Sequence, residues 1–374
     1  MDQSQQPSSK KHFVFAGGGT GGHIYPAIAV AQQLREIAPD AEIKFFCSTR
    51  PVDSHILSKT GFEFTTLNAK SPSVRPDRLW AFLISLHKCF YLTKNMLSPN
   101  SVVIATGGFV SVPVVLAARW LKLPVGIINV DIVPGKANKM LKRFAKHIFL
   151  QFEDSHRYFD KCKAKITTTG CPLRKNFFTP NPQNVYDDLG LDINKKTLLV
   201  TGASSGAVSI NNAVAGILSE LDEFADNWQI VHLTGRANLK AVEDSYIGAK
   251  ISYHLVDYYD EMQDLFAASD LIIGRGGAVS IAEFTQAQKP VICMPYPYHK
   301  DMHQAKNAAN LCDKGAAVIV DDTPNTPMQT QERLCKVLKS LMGSKEKLDR
   351  VRDAAKLTQP QNAAKTIAEI INKS

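Results

Sequence analysis

The sequence predicts an α/β protein made of two doubly wound parallel sheets. Three observations lead there. The chain has 374 residues, more than one hydrophobic core usually serves. Short apolar runs alternate with helical patterns, the signature of parallel strands covered by helices on both faces. A strand–glycine–helix unit occurs near the start and again past the midpoint, so the architecture reads as repeated.

The first such unit is His12-Phe-Val-Phe-Ala-Gly-Gly-Gly-Thr-Gly-Gly-His-Ile-Tyr-Pro-Ala27. Phe13, Val14 and Phe15 form a buried-strand run, and Pro26 suits a first helical turn. Ala27, Val30, Ala31 and Leu34 then make one apolar helix face. Five of the six residues in Gly17–Gly22 are glycine, so the backbone there can approach a ligand closely. A helix N-terminus aimed at that ligand favours phosphate or pyrophosphate.

Further strands are read at Glu42–Cys47, Val102–Ala105, Val125–Asn129 and His147–Leu150, the last closing the series. A second glycine turn, Thr106-Gly-Gly-Phe-Val-Ser111, follows Val102–Ala105. Ala137–Ala145 reads as a basic helix. Prolines 180 and 182 and the polar run around them read as an interdomain linker. Beyond it, Thr197-Leu-Leu-Val-Thr-Gly-Ala-Ser-Ser-Gly-Ala207 repeats the opening unit, with a helix expected over Ile210–Leu221. Strands at 230–233, 251–255, 271–274, 291–294 and 317–320 complete the second set. A final helix carries the stripe Ala364, Ile367, Ala368, Ile371.

The composition is that of a globular protein, 44% hydrophobic and 21% charged, with a net charge of +9. That charge suits phosphate-bearing partners: nucleotides, nucleic acid or an anionic membrane surface. The seven cysteines are scattered without a Cys-x-x-Cys, which argues against zinc and thioredoxin-type sites and for reduced thiols in a cytoplasm. Met1–Lys11 is polar and reads as a disordered tail rather than a secretory signal. Residues 110–130 come closest to a membrane span, but Arg119, Lys122 and two prolines interrupt them. Arg78–Leu97 mixes Leu79, Trp80, Phe82, Leu83, Leu86, Phe90 and Tyr91 with Arg78, Lys88 and Lys94. It reads either as a helix packed on its own domain or as one entering a membrane surface.

Several motifs compete for a chemical reading. Gly17-x-Gly19-x-x-Gly22 matches the dinucleotide fingerprint, but the acidic residue due at the end of the next strand is absent from Cys47–Arg50. Thr201-Gly-Ala-Ser-Ser-Gly206 and Tyr246-x-x-x-Lys250 match short-chain dehydrogenase elements in the wrong place and too close together. Arg275-Gly-Gly-Ala-Val-Ser-Ile-Ala-Glu283 follows a strand and opens a helix fit for a phosphate, with Glu283 able to accept both hydroxyls of a ribose. In Met294-Pro-Tyr-Pro-Tyr-His-Lys-Asp-Met-His-Gln-Ala305, Asp301 and Gln304 can hold sugar hydroxyls. His299 and His303 have metal-ligand spacing but no evident third ligand, so surface histidines are preferred.

Taken in order, six motifs resemble those of glycosyltransferase family 28, in its N-acetylglucosaminyltransferase branch. They are Gly18–His23 with Pro26-Ala27, Gly107–Ser111, Gly170–Arg174, Gly202–Ala207, Arg275–Glu283 and His299–Gln304. The resemblance covers nearly the whole chain from about Lys11. It implies a GT-B fold, two doubly wound Rossmann-like domains facing across a cleft, and an inverting transfer in peptidoglycan synthesis. N-acetylglucosamine would pass from UDP-N-acetylglucosamine to the 4-hydroxyl of N-acetylmuramyl-(pentapeptide) pyrophosphoryl-undecaprenol. The family implies residues 12–172 as acceptor and membrane-side domain and 173–356 as donor domain, with 357–374 packing back on the first. On the donor it implies Thr20, Gly21, Gly22, Asp131, Arg174, Ser204, Arg275 and the helix start Ala278, Val279, Ser280, Ile281, Ala282. It further implies the backbone near Tyr259 on the uracil, Glu283 on the ribose and Gln304 on the sugar. Gly18, Gly19, Gly107, Gly108 and Ser111 would seat the acceptor pyrophosphate.

The same resemblance implies a peripheral enzyme on the cytoplasmic face of the cell membrane, with Trp80, Phe82, Leu83, Leu86 and Phe90 toward an anionic surface and no nucleic acid partner. The chain departs from the family at Asp131, Cys171, Gly276 and Phe109, where Asn, Asn, Ser and Tyr are usual. His23 is the expected base, by residue type and by its place at the pyrophosphate loop. Arg275 or Arg174 with helix N-termini would stabilise departing UDP. No Asp-x-Asp stands beside these loops, so neither metal nor cofactor is expected. A UDP-N-acetylglucosamine 2-epimerase of the same fold and a non-catalytic UDP-sugar-binding relative are the alternatives.

Overall fold

The computed structural model describes residues 10–72, 75–202, 206–298, 301–358 and 362–374. The described residues divide into two compact units. One runs to Lys175 and takes in the C-terminal segment, and the other begins at Asn176.

In the first unit seven strands form one sheet: β1 His12–Gly17, β2 Glu42–Ser48, β3 Glu63–Leu67, β4 Ser101–Gly107, β5 Val125–Asn129, β6 His147–Leu150 and β7 Lys165–Thr168. Their order is β3-β2-β1-β4-β5-β6-β7, all pairs parallel. Helices cover both faces, so the central strands are apolar on both sides. Phe13 and Phe15 are fully buried, and Phe15 stacks on Phe45 with ring centroids 5.0 Å apart. The stripe Ala364, Ile367, Ala368, Ile371 is buried, and its helix Ala363–Asn372 packs on Gly21–Ile37.

The second unit holds β8 Lys196–Thr201, β9 Trp228–Leu233, β10 Ser252–Val256, β11 Leu271–Gly274, β12 Val291–Cys293 and β13 Ala317–Ile319. They are ordered β10-β9-β8-β11-β12-β13, again all parallel. Each sheet therefore reverses its winding once, between β1 and β4 and between β8 and β11. Ligands bind at such switch points, outside the carboxyl ends of the strands. All four glycine turns stand there, after β1, β4, β8 and β11.

The structure corrects several local expectations. His147–Leu150 does not close the first sheet, because Lys165-Ile-Thr-Thr168 adds an edge strand. β3, at the opposite edge, also went unread. Both are short, polar and largely out of the core, so neither produces an apolar run. Pro26 is not in the first turn: the helix already starts at Gly21. Pro26 removes the N–H that would bond the Gly22 carbonyl. The Pro180–Pro182 stretch is not simply a linker, since Pro182 opens the helix Pro182–Leu189, which packs in the second unit. The helix expected over 210–221 is two, Val208–Ala215 and Leu218–Leu221, parted at Gly216, the poorest non-proline helix former. The basic helix at 137–145 shortens to Lys136–Leu141 with a 3₁₀ turn to Phe144.

Candidate active site

At the first switch point, Gly17 and Gly107 face each other across β1 and β4, after a register shift. The two glycine turns touch. Gly108 has φ +75°, and a β-carbon there would lie 2.5 Å from the Gly18 carbonyl oxygen, so only glycine closes the contact. His23, in the first turn of Gly21–Ile37, lies against Gly107. With Thr106, Gly107, Gly108, Asn129, Asp131 and Lys136 it lines a cavity of about 220 Å³. His23 Nδ1 donates to the Gly18 carbonyl at 3.0 Å. A carbonyl can only accept, so this contact leaves the Nε2 lone pair as the basic position.

The missing acid of the dinucleotide pattern is also here. Asp53, beyond the end of β2, is fully buried and accepts from Gly19 N–H at 2.8 and 3.1 Å. It also accepts from Ser48 N–H at 3.0 Å and the Ser48 hydroxyl at 2.6 Å. Sitting under the loop, it cannot reach a ribose, and it engages an N–H that a phosphate would otherwise use. Gly21 and Gly22 keep the first-turn N–H groups that have no acceptor within the helix. Ser111 donates its hydroxyl to Gly108 O at 2.7 Å and does not line this cavity. Asp131 lines it, and its carbonyl accepts from Asn129 Nδ2 at 2.7 Å. Arg174 stacks over the Tyr25 ring at 4.5 Å.

At the second switch point a cavity of about 620 Å³ lies between the starts of Val208–Ala215 and Ala278–Ala287. Its lining includes Gly206, Ser209, Arg275, Ser280, Tyr296 and Gln304. Gly206 is required: φ is +71° and a β-carbon would sit 2.2 Å from Thr234 O. Gln304 is fixed by Tyr296 N–H, which donates to its Oε1 at 2.9 Å. Arg275 is buried at this cavity. The residue is 9% exposed, and its guanidinium donates to Asp322 Oδ2 at 2.8 Å, Met294 O at 2.8 Å and Ser209 Oγ at 2.6 Å. Ser209 also donates to Asp322 at 2.6 Å. One buried ion pair thus ties together the ends of β11 and β12, the start of Val208–Ala215 and the segment after β13.

Glu283 is half-buried on Ala278–Ala287 and is not among the described lining residues; neither is Tyr259. The Tyr259 hydroxyl donates to Asp188 at 3.0 Å. Burial, then that carboxylate, push its pKa up to about 12. Ser204 and His299 lie outside the described residues. His303 pairs with Asp301 at 2.8 Å, and no metal-type cluster occurs among the described residues. The Tyr246–Lys250 pair is not catalytic. Tyr246 is fully buried and bonds His232 Nδ1 at 2.8 Å, while Lys250 is exposed beyond the end of the helix. His232 Nε2 bonds Asn211 Oδ1 at 3.0 Å, and burial lowers the His232 pKa to about 3.

The helix Pro76–Met96 leaves an apolar face outward. Trp80 is 68% exposed and Trp120 68%, and Leu83, Ile84 and Tyr91 are exposed with them, whereas Phe82, Leu86 and Phe90 are half-buried. Leu83, Leu86, Phe90, Trp120, Arg119 and Lys122 line a groove of about 780 Å³. Lys94 lies over the Trp120 ring at 5.5 Å. No helix among the described residues is long and apolar enough to cross a membrane.

Residues that sequence reasoning missed are Asp53, Ser48, Ser209, Asp322 and Trp120. Asp53 carried a faint signal, an acid opening the helix just after β2. Asp322 carried none, because only folding brings it to Arg275.

Two doubly wound units, each with paired glycine turns at its switch point, define a two-domain glycosyltransferase of the GT-B type. The chain belongs to glycosyltransferase family 28: residues 13–150 match the family's N-terminal domain and residues 197–367 its C-terminal domain. It is 35% identical to a Halothermothrix orenii protein over 370 residues, covering 96% of this chain and 97% of that one. It is 33% identical to a Caldicellulosiruptor saccharolyticus protein, covering 98% of each. Both relatives are named UDP-N-acetylglucosamine–N-acetylmuramyl-(pentapeptide) pyrophosphoryl-undecaprenol N-acetylglucosamine transferase. Among solved structures, Acinetobacter baumannii MurG aligns with TM-score 0.73 and 24% identity, covering 97% of this chain and all (100%) of that one. A Neisseria meningitidis UDP-GlcNAc 2-epimerase aligns with TM-score 0.70 and 15% identity, covering 97% and 100%. These two share the fold.

Proposed function

We infer that the chain transfers N-acetylglucosamine, with inversion, from UDP-N-acetylglucosamine to the 4-hydroxyl of N-acetylmuramyl-(pentapeptide) pyrophosphoryl-undecaprenol. The relatives at 33–35% identity are named for a transfer of N-acetylglucosamine between that donor and that acceptor, and the bond from His23 Nδ1 to the Gly18 carbonyl supports the mechanism. His23 Nε2 takes the proton of the acceptor hydroxyl. The hydroxyl oxygen bonds to the anomeric carbon as the bond from that carbon to the UDP oxygen breaks, and UDP leaves with the electron pair. The transition state has oxocarbenium character.

The donor occupies the second unit. Its diphosphate lies at the helix starts of Val208–Ala215 and Ala278–Ala287, beside the Gly202–Ala207 turn with Ser204. Glu283 takes the ribose, the backbone near Tyr259 the uracil, and Gln304 the sugar. Because Asp322 neutralises Arg275, the charge on departing UDP is met mainly by the first-turn N–H groups of these helices. In the first unit, Gly18, Gly107 and Gly108 take the acceptor's pyrophosphate. The enzyme is peripheral at the cytoplasmic membrane face. Trp80, Leu83 and Trp120 enter an anionic surface, and Arg78, Lys94, Arg119 and Lys122 meet its headgroups.

Purified protein is given UDP-N-acetylglucosamine with a soluble analogue of the lipid-linked acceptor, and UDP and disaccharide are followed. Acceptor-dependent release of both is expected. Turnover of the donor without acceptor points instead to an epimerase-type reaction, and donor binding without UDP release to a non-catalytic role; either result overturns the reading.

A further inference from the structure

We propose that Asp53 is a positioning residue for His23, acting through the single peptide group between Gly18 and Gly19. The inference rests on His23 being the base. Asp53 opens the helix Pro51–Ser58, and its buried carboxylate takes the Gly19 N–H at 2.8 Å. The carbonyl of that same peptide group, Gly18 O, accepts from His23 Nδ1 at 3.0 Å. The two side chains never touch, yet they hold opposite ends of one amide.

Amide resonance links those ends. A charge-assisted bond to the N–H moves electron density onto the carbonyl oxygen, which strengthens the bond that oxygen accepts. The Asp53 charge is thereby passed to His23 Nδ1–H. It fixes the tautomer that leaves Nε2 basic, and it stabilises the imidazolium formed when Nε2 takes the proton. A carboxylate in direct contact with a catalytic histidine does the same work; here a peptide group stands between.

The surroundings hold the relay in place. A β-carbon at Gly18 would lie 2.3 Å from Asp53 Oδ2 and 2.9 Å from Ser48 N, so the carboxylate is pressed against the loop. Ser48 supplies two more donors, at 3.0 and 2.6 Å, which compensate the buried charge. Arg50 Nη1 donates to Gly19 O at 2.7 Å, holding the next peptide group as well. A carboxylate that merely capped the β2 turn would have no need to meet the amide that binds His23.

The test uses the full-length protein and two readouts. In steady-state assays Asp53→Asn lowers kcat at least about tenfold, the scale for losing an outer-shell partner that orients a functional histidine, and leaves the donor KM within about threefold. In ¹⁵N NMR of the His23 ring, the same variant loses the pure Nδ1–H pattern. If Asp53→Asn does not fold, the wild-type protein answers alone: the Gly19 amide shift follows the His23 titration with the same midpoint. Normal kcat with an unchanged tautomer in Asp53→Asn, or a Gly19 amide that ignores the His23 titration, overturns the relay. His23→Ala is run in parallel. If it keeps wild-type kcat, the base assignment has failed; if only Asp53→Asn keeps it, the relay alone has failed.

Discussion

Under the first unit's glycine turn the buried charge is a carboxylate, Asp53; at the second unit's switch point it is a guanidinium, Arg275. Asp53 is compensated by loop and serine donors, and Arg275 by Asp322 with Ser209 and a carbonyl. The two units share strand order around the switch point and the glycine turns. Their chemistry differs because residues outside the glycine motifs charge each turn from beneath. In the first unit His23 lines the cavity beside the turn, its Nδ1 held by the Gly18 carbonyl. In the second, the arginine is paired with Asp322, and the helix starts of Val208–Ala215 and Ala278–Ala287 border the cavity.

The largest break of this comparison is Asp322→Ala. It strands Arg275 as an uncompensated buried cation, and destabilisation of about 3–5 kcal/mol is expected from that cause. Urea unfolding followed at Trp228, a buried core residue of the second unit, measures it; a loss under about 1 kcal/mol would mean that the pair does not hold the unit together. Next is His23→Ala, expected to reduce turnover at least about a hundredfold while calorimetry gives an unchanged donor Kd. Near-normal turnover would remove the proton-handling role from the first unit.

A pH series sharpens the second unit's side. Burial lowers the His232 pKa to about 3, against about 6.5 in an unfolded chain. Between those values the unfolded state binds a proton that the native state does not. Stability therefore rises with pH across that window, by up to about 1.4 kcal/mol per pH unit from this group, and the contribution is complete above its upper end. Denaturant melts at several pH values should show a flatter dependence for His232→Gln; an identical slope would place the dependence elsewhere. The smallest expected effect lies on the first unit's outer face. Changing Trp80 and Phe82 to Ser should lower sedimentation with anionic vesicles about threefold or more, since each buried aromatic contributes on the order of 1 kcal/mol at an interface. Equal sedimentation would make Pro76–Met96 simply a packed helix.

Much of the fold was legible because central strands of a doubly wound sheet are buried on both faces and leave apolar runs. Phe13–Phe15 and Leu198–Val200 are of that kind. The first sheet's two edge strands are polar and leave no such mark, which is why Glu63–Leu67 and Lys165–Thr168 appear only in the structure. The glycine turns and His23 were legible because close backbone approach restricts residue type. Tyr246 with Lys250, by contrast, matched a motif whose tyrosine proves to be buried against His232.

The sequence by itself determined two α/β units, four glycine turns and the family. Local pattern suffices for these, since period, turn residues and short motifs are written within a few residues of one another. Only the tertiary structure decided what lies beneath the turns. It brought Asp53 under Gly19, 34 residues away in sequence, and Asp322 to Arg275, 47 residues away. A buried charge must find its partner in space, and parallel strands joined by crossovers bring such partners from distant segments to the same sheet edge.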